Sequence, residues 1–559
     1  MKKGKVMGIL GVALASTVIL AACGGGSSDK SDNASNDSGK MAKKQELNLI
    51  ETAEIPTMDS VMNTDAVGST VMNNVFEGLY RKDLKNNIVL GMAKEEPQIS
   101  EDGLTYTFKI RDDANWSNGD PVTANDFVFA WRRVVDPNTA AQFSYMMSGI
   151  VENATEITKG EKPATDLGVK ALDDKTFEVK LAAEVPYFKD LLCLTMFMPQ
   201  NEKYVTEQGD SFAKNSEKLV YNGPFQLTEW DGTGLSWVYK KNDTYWDKKE
   251  VKLDTIKVDV VKEMSTALNL YDSDDIDMMK LTGEYVQTKE GDPDLKNIPT
   301  SSVFYFKYNQ KRNGSDTPLA NENIRKAISM AFDKQSYSDT ILKNGSIPAD
   351  GFVPEGLAKD PKNGKDFRKE NGNILKYNKK EAAAAWKKGL KELGVDKVEL
   401  ELLSDDTENA KRSLEFVQGQ LEENLPGLTV KLKNVPFKVR IDLNNKMDYD
   451  IQVAGWSADF SDPVSFLDLF TTDNSNNRSN FSNAKYDELL ENVKTTSLSD
   501  PEKRWDEMRE AEKELLKTAG IGPIYQRYNA VLEKPFVKDV GMQLVGPEYS
   551  YKWAYVTSH

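Results

Sequence analysis

Asp459 ends the run Trp456-Ser457-Ala458-Asp459, which sets a carboxylate close to an indole. That pair suits an ammonium group, with charge pairing from the carboxylate and apolar or cation–π contact from the ring. Asp450 to Gly455 reads as a strand carrying Ile451, Val453 and Gly455, with Trp456, Ser457 and Asp459 in the loop beyond it. In open α/β sheets, ligands gather past the carboxyl ends of strands. A loop aspartate is more often a turn or cap residue, so the pair alone does not establish a ligand site.

Other chemistries have less to work with. The single histidine is His559, the last residue. A histidine base, a histidine metal cluster and a Ser-His-Asp or Cys-His hydrolase are therefore excluded. No glycine-rich dinucleotide fingerprint or phosphate-cradling Lys-Ser/Thr loop occurs. Two Ser-x-x-Lys pairs, Ser27 with Lys30 and Ser482 with Lys485, lack the rest of a serine–lysine hydrolase and read as chance spacing. The run Asp272-Ser273-Asp274-Asp275 lacks the glycine and terminal glutamate of a calcium loop and reads as a solvated helix end or turn. Cys193 sits in the apolar run Leu191-Leu192-Cys193-Leu194 and reads as a buried, inert thiol. The expectation is a protein that is not an enzyme and uses no cofactor and no metal.

The elements that must hold such a site alternate between strand and helix patterns, which predicts an α/β architecture. Leu104, Tyr106, Phe108 and Ile110 alternate with polar residues, as a half-buried strand does, and Phe177, Val179 and Leu181 repeat the pattern. Thr123 with Asp126 reads as a capping box. The helix it starts turns Phe127, Ala130, Trp131, Val134 and Val135 to one face and stops before Pro137. Ile324, Ala327, Ile328, Ala331 and Phe332 mark a second amphipathic helix. A third begins at Asp500-Pro501, carries Trp505, Met508, Ala511 and Leu515 inward, and stops at Gly520. Breaks near Ser301 and near Gly520-Ile521-Gly522-Pro523 predict two crossovers between lobes, with the C-terminal tail rejoining the first.

The N-terminus carries an address. Lys2, Lys3 and Lys5 precede an apolar stretch from Met7 to Ala22, the layout of a secretory signal. The stretch is shorter than the roughly 20 residues of a membrane-spanning helix. It ends in Leu20-Ala21-Ala22-Cys23, which looks like a bacterial lipobox, so Cys23 is expected to carry diacylglycerol and become the new N-terminus. Only Cys193 then remains, and no internal disulfide is available. Residues 24–40, almost wholly Gly, Ser, Asp, Asn and Lys, predict a disordered tether with an end-to-end distance of ~25 Å. The 559 residues exceed what one core spans. A composition of 29% charged and 39% hydrophobic residues is that of a soluble globular protein. The formal charge of −16 repels nucleic acid and mildly favours cationic ligands.

Several segments carry a resemblance. They are EIPTMDS at 54–60, NVFEGLYR at 74–81, DGLTYTFKIRDDANWSNGDPVTANDFVFAWRRVVDP at 102–137, DDKTFEVKLAAEVPYF at 173–188, YNGPF at 221–225, KNDTYWD at 241–247, NENIRKAISMAFDK at 321–334 and GWSADFSDP at 455–463. In this order, from about Leu47 to the C-terminus, the chain resembles the family 5 extracellular solute-binding proteins of the oligopeptide-binding type. The resemblance implies a two-lobed clamshell of the periplasmic-binding-protein type II-like class, with an extra subdomain in the first lobe. It implies a signal at 1–22 and the acylated Cys23 with its tether at 23–45. The lobe I core would take 46–76, 215–300 and 522–559, the extra subdomain 77–214, and lobe II 301–521.

By the same resemblance, Asp459 grips the α-ammonium of a bound peptide. Gly455, Trp456 and Ser457 line it, and Tyr145, Asn222 and Gly223 contribute from the first lobe. The implied role is a monomeric lipoprotein on the extracytoplasmic face of the cell membrane that captures oligopeptides and delivers them to the permease of an ABC importer. Where enteric relatives carry arginines that pair with the carboxylates of short peptides, this chain has Asn444 and Val453, which points to longer peptides or looser length selection. Ser457 takes the place of a disulfide cysteine of those relatives. A receptor for a dedicated signalling peptide, or a carrier of another solute such as a nickel chelate, haem or sugar, remains an alternative on the same fold.

Overall fold

The computed structural model describes residues 39–498 and 500–559. The signal, Cys23 and most of the tether lie outside the described residues. Backbone pairing is already present ahead of residue 46. The Ala42 N–H donates to the Val556 carbonyl at 2.8 Å and the Ser558 N–H to the Lys40 carbonyl at 2.8 Å. A short backbone pairing with the C-terminal tail thus docks residues that composition alone assigns to the tether.

Among the described residues, an eleven-stranded mixed sheet runs through the molecule. From edge to edge it is Leu428–Val435, Val398–Asp405, Ile451–Ser457, Leu295–Tyr308, Ile521–Glu533, Met278–Leu281, Glu46–Glu51, Thr255–Val260, Ser236–Lys241 and Phe225–Thr228, with Ile347–Pro348 added beside Ile521–Glu533. The parallel pairs lie towards both ends. Val398–Asp405 runs parallel to Leu428–Val435, and Glu46–Glu51 parallel to Thr255–Val260. The two longest strands form the antiparallel spine between these halves. Val303 to Lys307 pairs with Gln526 to Ile521, whereas Leu295 to Pro299 pairs with Leu532 to Tyr528. The register shifts between Pro299 and Val303, beside Ser301, and again between Phe304 and Tyr305, opposite Tyr525 and Pro523. On the other side of the spine, one continuous strand, Ile521–Glu533, pairs with both halves.

A four-stranded antiparallel sheet stands apart, in the order Gln98–Ile99, Thr105–Lys109, Thr176–Lys180, Val169–Asp173. The helix Ala124–Val135 covers it, with Phe127, Ala130, Trp131, Val134 and Val135 buried and the Trp131 ring edge-on to Phe177 at 5.1 Å. Its start is held as its sequence dictates. The Asp126 carboxylate accepts from the Thr123 N–H at 2.8 Å and from the Trp116 indole N–H at 3.1 Å. Beyond the spine, the helices Glu322–Ala331 and Glu408–Asn424 bury Ile324, Ile328, Leu414 and Val417 with Leu400 and Leu402 of the sheet. The helix Pro501–Lys517 is capped by Asp500, whose carboxylate accepts from the Lys503 N–H at 3.1 Å. It buries Trp505, Met508, Ala511 and Leu515, the residues its periodicity selects.

Candidate functional site

The site grows from the strand Ile451–Ser457. It pairs antiparallel with Leu295–Tyr308, setting Ser457 opposite Ser302, and their hydroxyls lie 2.6 Å apart. Trp456 and Ser457 are therefore strand residues and not loop residues. The pairing continues one step further, where the Ala458 N–H reaches the Ser301 carbonyl at 3.2 Å. On the other side, the Gly546 N–H donates to the Ala458 carbonyl at 2.8 Å. The backbone leading into Asp459 is thus clamped from both sides.

The turn that follows is equally fixed. The Asp459 N–H donates to the Ser465 hydroxyl at 2.8 Å. Asp462 accepts from both terminal nitrogens of buried Arg504, at 2.7 and 3.1 Å, and also from the Val464 N–H at 3.0 Å. A bidentate guanidinium–carboxylate pair of this kind fixes geometry as well as charge.

This segment walls a cavity of about 380 Å³. Phe143, Met196, Ser302, Tyr305, Trp456 and Asp459 are among its lining. The Asp459 Oδ2 is buried with no hydrogen-bond partner, and so is the Trp456 Nε1. Buried polar groups are nearly always satisfied, so two orphans on one wall mark a place built for something else to bond. Burial pushes the Asp459 carboxyl up to about 8, with only a hydrogen bond involving Ser465 acting against it. An ammonium group placed there would restore the ionised form.

The structure gathers most of the residues singled out in the sequence, but not all. Gly455 lines the cavity, and a Cβ there would fall 2.8 Å from the Phe304 ring, so the strand needs glycine at that point. Tyr145 lies behind Asp459 on a smaller adjoining cavity of about 20 Å³ that it shares with Ser465 and Asp468. Burial, then the Asp459 and Asp468 carboxylates, push its phenol well above the ordinary range.

Asn222 and Gly223 are elsewhere. The Asn222 amide accepts from the Glu77 N–H at 3.0 Å and donates to the Glu77 carbonyl at 2.9 Å, and the residue is wholly buried. A Cβ on Gly223 would lie 2.5 Å from the Val75 carbonyl carbon. Neither residue lines the cavity. Their motif is a packing joint between chain segments.

Sequence reasoning missed Phe143 and Lys307. The Phe143 ring stands edge-on to Trp456 at 5.9 Å and carries residues from the 77–214 segment to the cavity wall. Nothing in its local pattern announces that role. Lys307 did leave a signal, as a lysine inside the apolar strand Val303-Phe304-Tyr305-Phe306-Lys307-Tyr308. Further contacts close over the site from the same side. Tyr187 and Phe460 stack at 4.5 Å and 4°, and the Ser475 hydroxyl donates to the Gln142 carbonyl. Away from these, Lys262 bridges Asp406 at 2.8 Å and Glu54 at 3.6 Å, joining the two halves of the sheet.

A family model described as bacterial extracellular solute-binding proteins, family 5, middle, matches residues 87–478. The chain belongs to that family. An oligopeptide-binding protein OppA of Listeria monocytogenes, solved bound to peptide, is 50% identical, with a TM-score of 0.90 over 93% of this chain and all of that one. The pheromone receptor PrgZ, whose mode of peptide binding has been solved, is 38% identical, with a TM-score of 0.88 over 92% of this chain and all of that one. A dipeptide-binding protein of Lactococcus lactis is 34% identical across the full length of both chains. The α/β fold is accordingly that of the type II-like periplasmic binding proteins, in the form taken by the family 5 peptide binders.

Proposed function

We propose that this chain is the substrate-binding lipoprotein of an ABC importer, capturing oligopeptides and delivering them to a membrane permease. The observation that carries the reading is the carboxylate of Asp459, its Oδ2 buried without a partner, clamped at the end of a strand on the wall of a cavity between the two halves of the sheet. Such a group binds what every unblocked peptide offers, a free α-ammonium. Trp456 lies beside it to supply an apolar or cation–π surface. Exposed backbone along the strands can bond an extended peptide as an added strand does. Peptide side chains would then be left to hydrated pockets that rearrange around them. Binding of this kind involves no bond making, and the lone histidine, stacked on Phe536 at 3.7 Å, is not among the cavity-lining residues.

Lobe I in this reading comprises 46–76, 215–300 and 522–559, the extra subdomain 77–214, and lobe II 301–521. The hinge is the spine where the register breaks between Pro299 and Val303. A ligand closes the lobes only through contacts that differ between open and closed forms. Asp459 on one side, and Phe143 and Tyr145 on the other, provide that difference. The Lys262 bridge adds a latch that does not touch ligand. Cys23, acylated, holds the protein at the extracytoplasmic face, and the closed form is what the permease recognises. The likeness to PrgZ favours a second reading, reception of one signalling peptide, on the same machinery.

Mass spectrometry of whatever co-purifies with residues 24–559 tests the reading, and is expected to show peptides with free N-termini. Calorimetry should then show that N-acetylation of a bound peptide abolishes its affinity. Equal binding of acetylated and free peptides would remove the ammonium site. A broad set of bound sequences marks a nutrient carrier, and a single one marks a receptor.

A further inference from the structure

Four cations line the cavity among the described residues, namely Lys280, Lys307, Arg440 and Arg527. Three are matched by carboxylates. Lys280 and Arg527 both pair with Glu548, and the Arg440 Nε lies 2.6 Å from Asp405. Lys307 is different. It is buried, and its ammonium bonds only the Asn444 side-chain oxygen at 3.2 Å and the Asn476 carbonyl at 3.3 Å. Burial, reinforced by the Arg478 and Arg440 charges, lowers its amine to about 7. Two further polar atoms nearby are buried without partners, the Asn476 Nδ2 and the Oε1 of Gln452, which faces Lys307 across the strand pair.

A buried ammonium held only by neutral oxygens is costly unless an anion completes it. The cavity therefore has two unfinished ends, an acid at Asp459 and a base at Lys307. The strand register sets their separation. Lys307 lies five residues along its strand from Ser302, which pairs with Ser457 close to Asp459. At ~3.3 Å per residue that is ~17 Å, the length of about five extended peptide residues.

We infer that Lys307, with the Asn476 amide, forms an anion-receiving subsite that takes a carboxylate of the bound peptide and sets a preferred length near five residues. The inference rests on the reading of the cavity as a peptide site and deepens it. Lys307 lies on the strand paired with that of Val453, and its ammonium reaches Asn444 at the end of the helix Phe437–Asn445. The chain thus carries a cation beside the position where Asn444 leaves none.

Two carboxylates could fill the subsite, the C-terminus or an acidic side chain near it. The experiment compares one pentapeptide as free acid, as C-terminal amide, and as amide ending in Glu or in Gln, by calorimetry on the mature chain and on Lys307→Met. The native chain is expected to favour the free acid over the amide by roughly 10- to 100-fold, as for one partner of a buried charge pair. A Glu-over-Gln preference among the amides instead would assign the subsite to an acidic side chain and still support it. Lys307→Met should bring either ratio to about one while keeping the preference for a free over an acetylated N-terminus. Shorter acids, unable to span both ends, should show little discrimination.

Equal binding of all four peptides by the native chain overturns the subsite and leaves the ammonium site standing, as does an unchanged ratio in Lys307→Met. If the Met variant does not fold, the length dependence of the acid-to-amide ratio in the native chain decides. Failure of the native chain to bind any peptide overturns the peptide reading and the subsite together.

Discussion

Two buried carboxylates, Glu77 and Asp459, sit in recognisable segments of this chain and have opposite surroundings. Glu77 accepts from the Arg81 guanidinium at 2.7 Å, the Tyr245 hydroxyl at 2.6 Å and the Trp246 indole at 2.6 Å, while Asn222 brackets its backbone. Burial alone would raise its carboxyl, but Lys552, Arg81 and the bonds from Trp246 and Tyr245 hold it below the ordinary range. Asp459 is half-buried as a residue, but its Oδ2 is enclosed without a partner, no cation acts on it, and burial pushes its carboxyl up to about 8. A satisfied buried charge is a joint, and an unsatisfied one in a cavity wall is a receptor. Three of the segments that carry the resemblance, at 74–81, 221–225 and 241–247, converge on the joint. Of the segments that carry the resemblance, only 455–463 reaches the cavity wall.

The contrast can be broken by mutation. The largest effect is expected at the joint. Glu77→Ala leaves Arg81 buried without its carboxylate and should lower stability by ~3–5 kcal/mol, read by denaturant unfolding. Loss of peptide binding in the folded variant with stability intact would show that Glu77 is no joint. At the receptor the consequences are reversed. Asp459→Ala should weaken peptide binding by roughly 2–5 kcal/mol and leave the thermal midpoint unlowered, since it removes an uncompensated buried acid. Unchanged affinity in calorimetry would take Asp459 out of the site.

Asn222→Ala distinguishes the two regions with a smaller effect. It leaves the Glu77 N–H and carbonyl without partners and should cost about 1–3 kcal/mol of stability with peptide affinity kept. A drop in affinity alone would return Asn222 to the binding residues. The smallest effect is in pH. With its carboxyl near 8 in the empty cavity, Asp459 must release a proton to pair with an ammonium. Affinity for a peptide amide, which leaves Lys307 out of the balance, should rise from pH 6 to 7.5 by at most ~1.4 kcal/mol per unit. The same titration on Asp459→Asn should be flat, and a parallel slope there would assign the proton elsewhere.

Much of this was legible in the residues. Local periodicity and capping are encoded within a few positions. Hence the helices Ala124–Val135, Glu322–Ala331 and Pro501–Lys517, and the strands Thr105–Lys109 and Thr176–Lys180, lie where their patterns place them. Composition ruled out histidine chemistry outright, and the GWSAD segment pointed to Asp459. Partnering between distant segments was not legible, because it depends on which chain lies against which. Asn222 reads as a site residue from its motif, whereas the backbone of Glu77, 145 positions away, fills both hydrogen-bonding groups of its amide. Phe143 reached the cavity, and Lys307 lost any counter-charge, only through packing. Residue type determined which groups could bind an ion, and tertiary structure alone decided which of them were left without one.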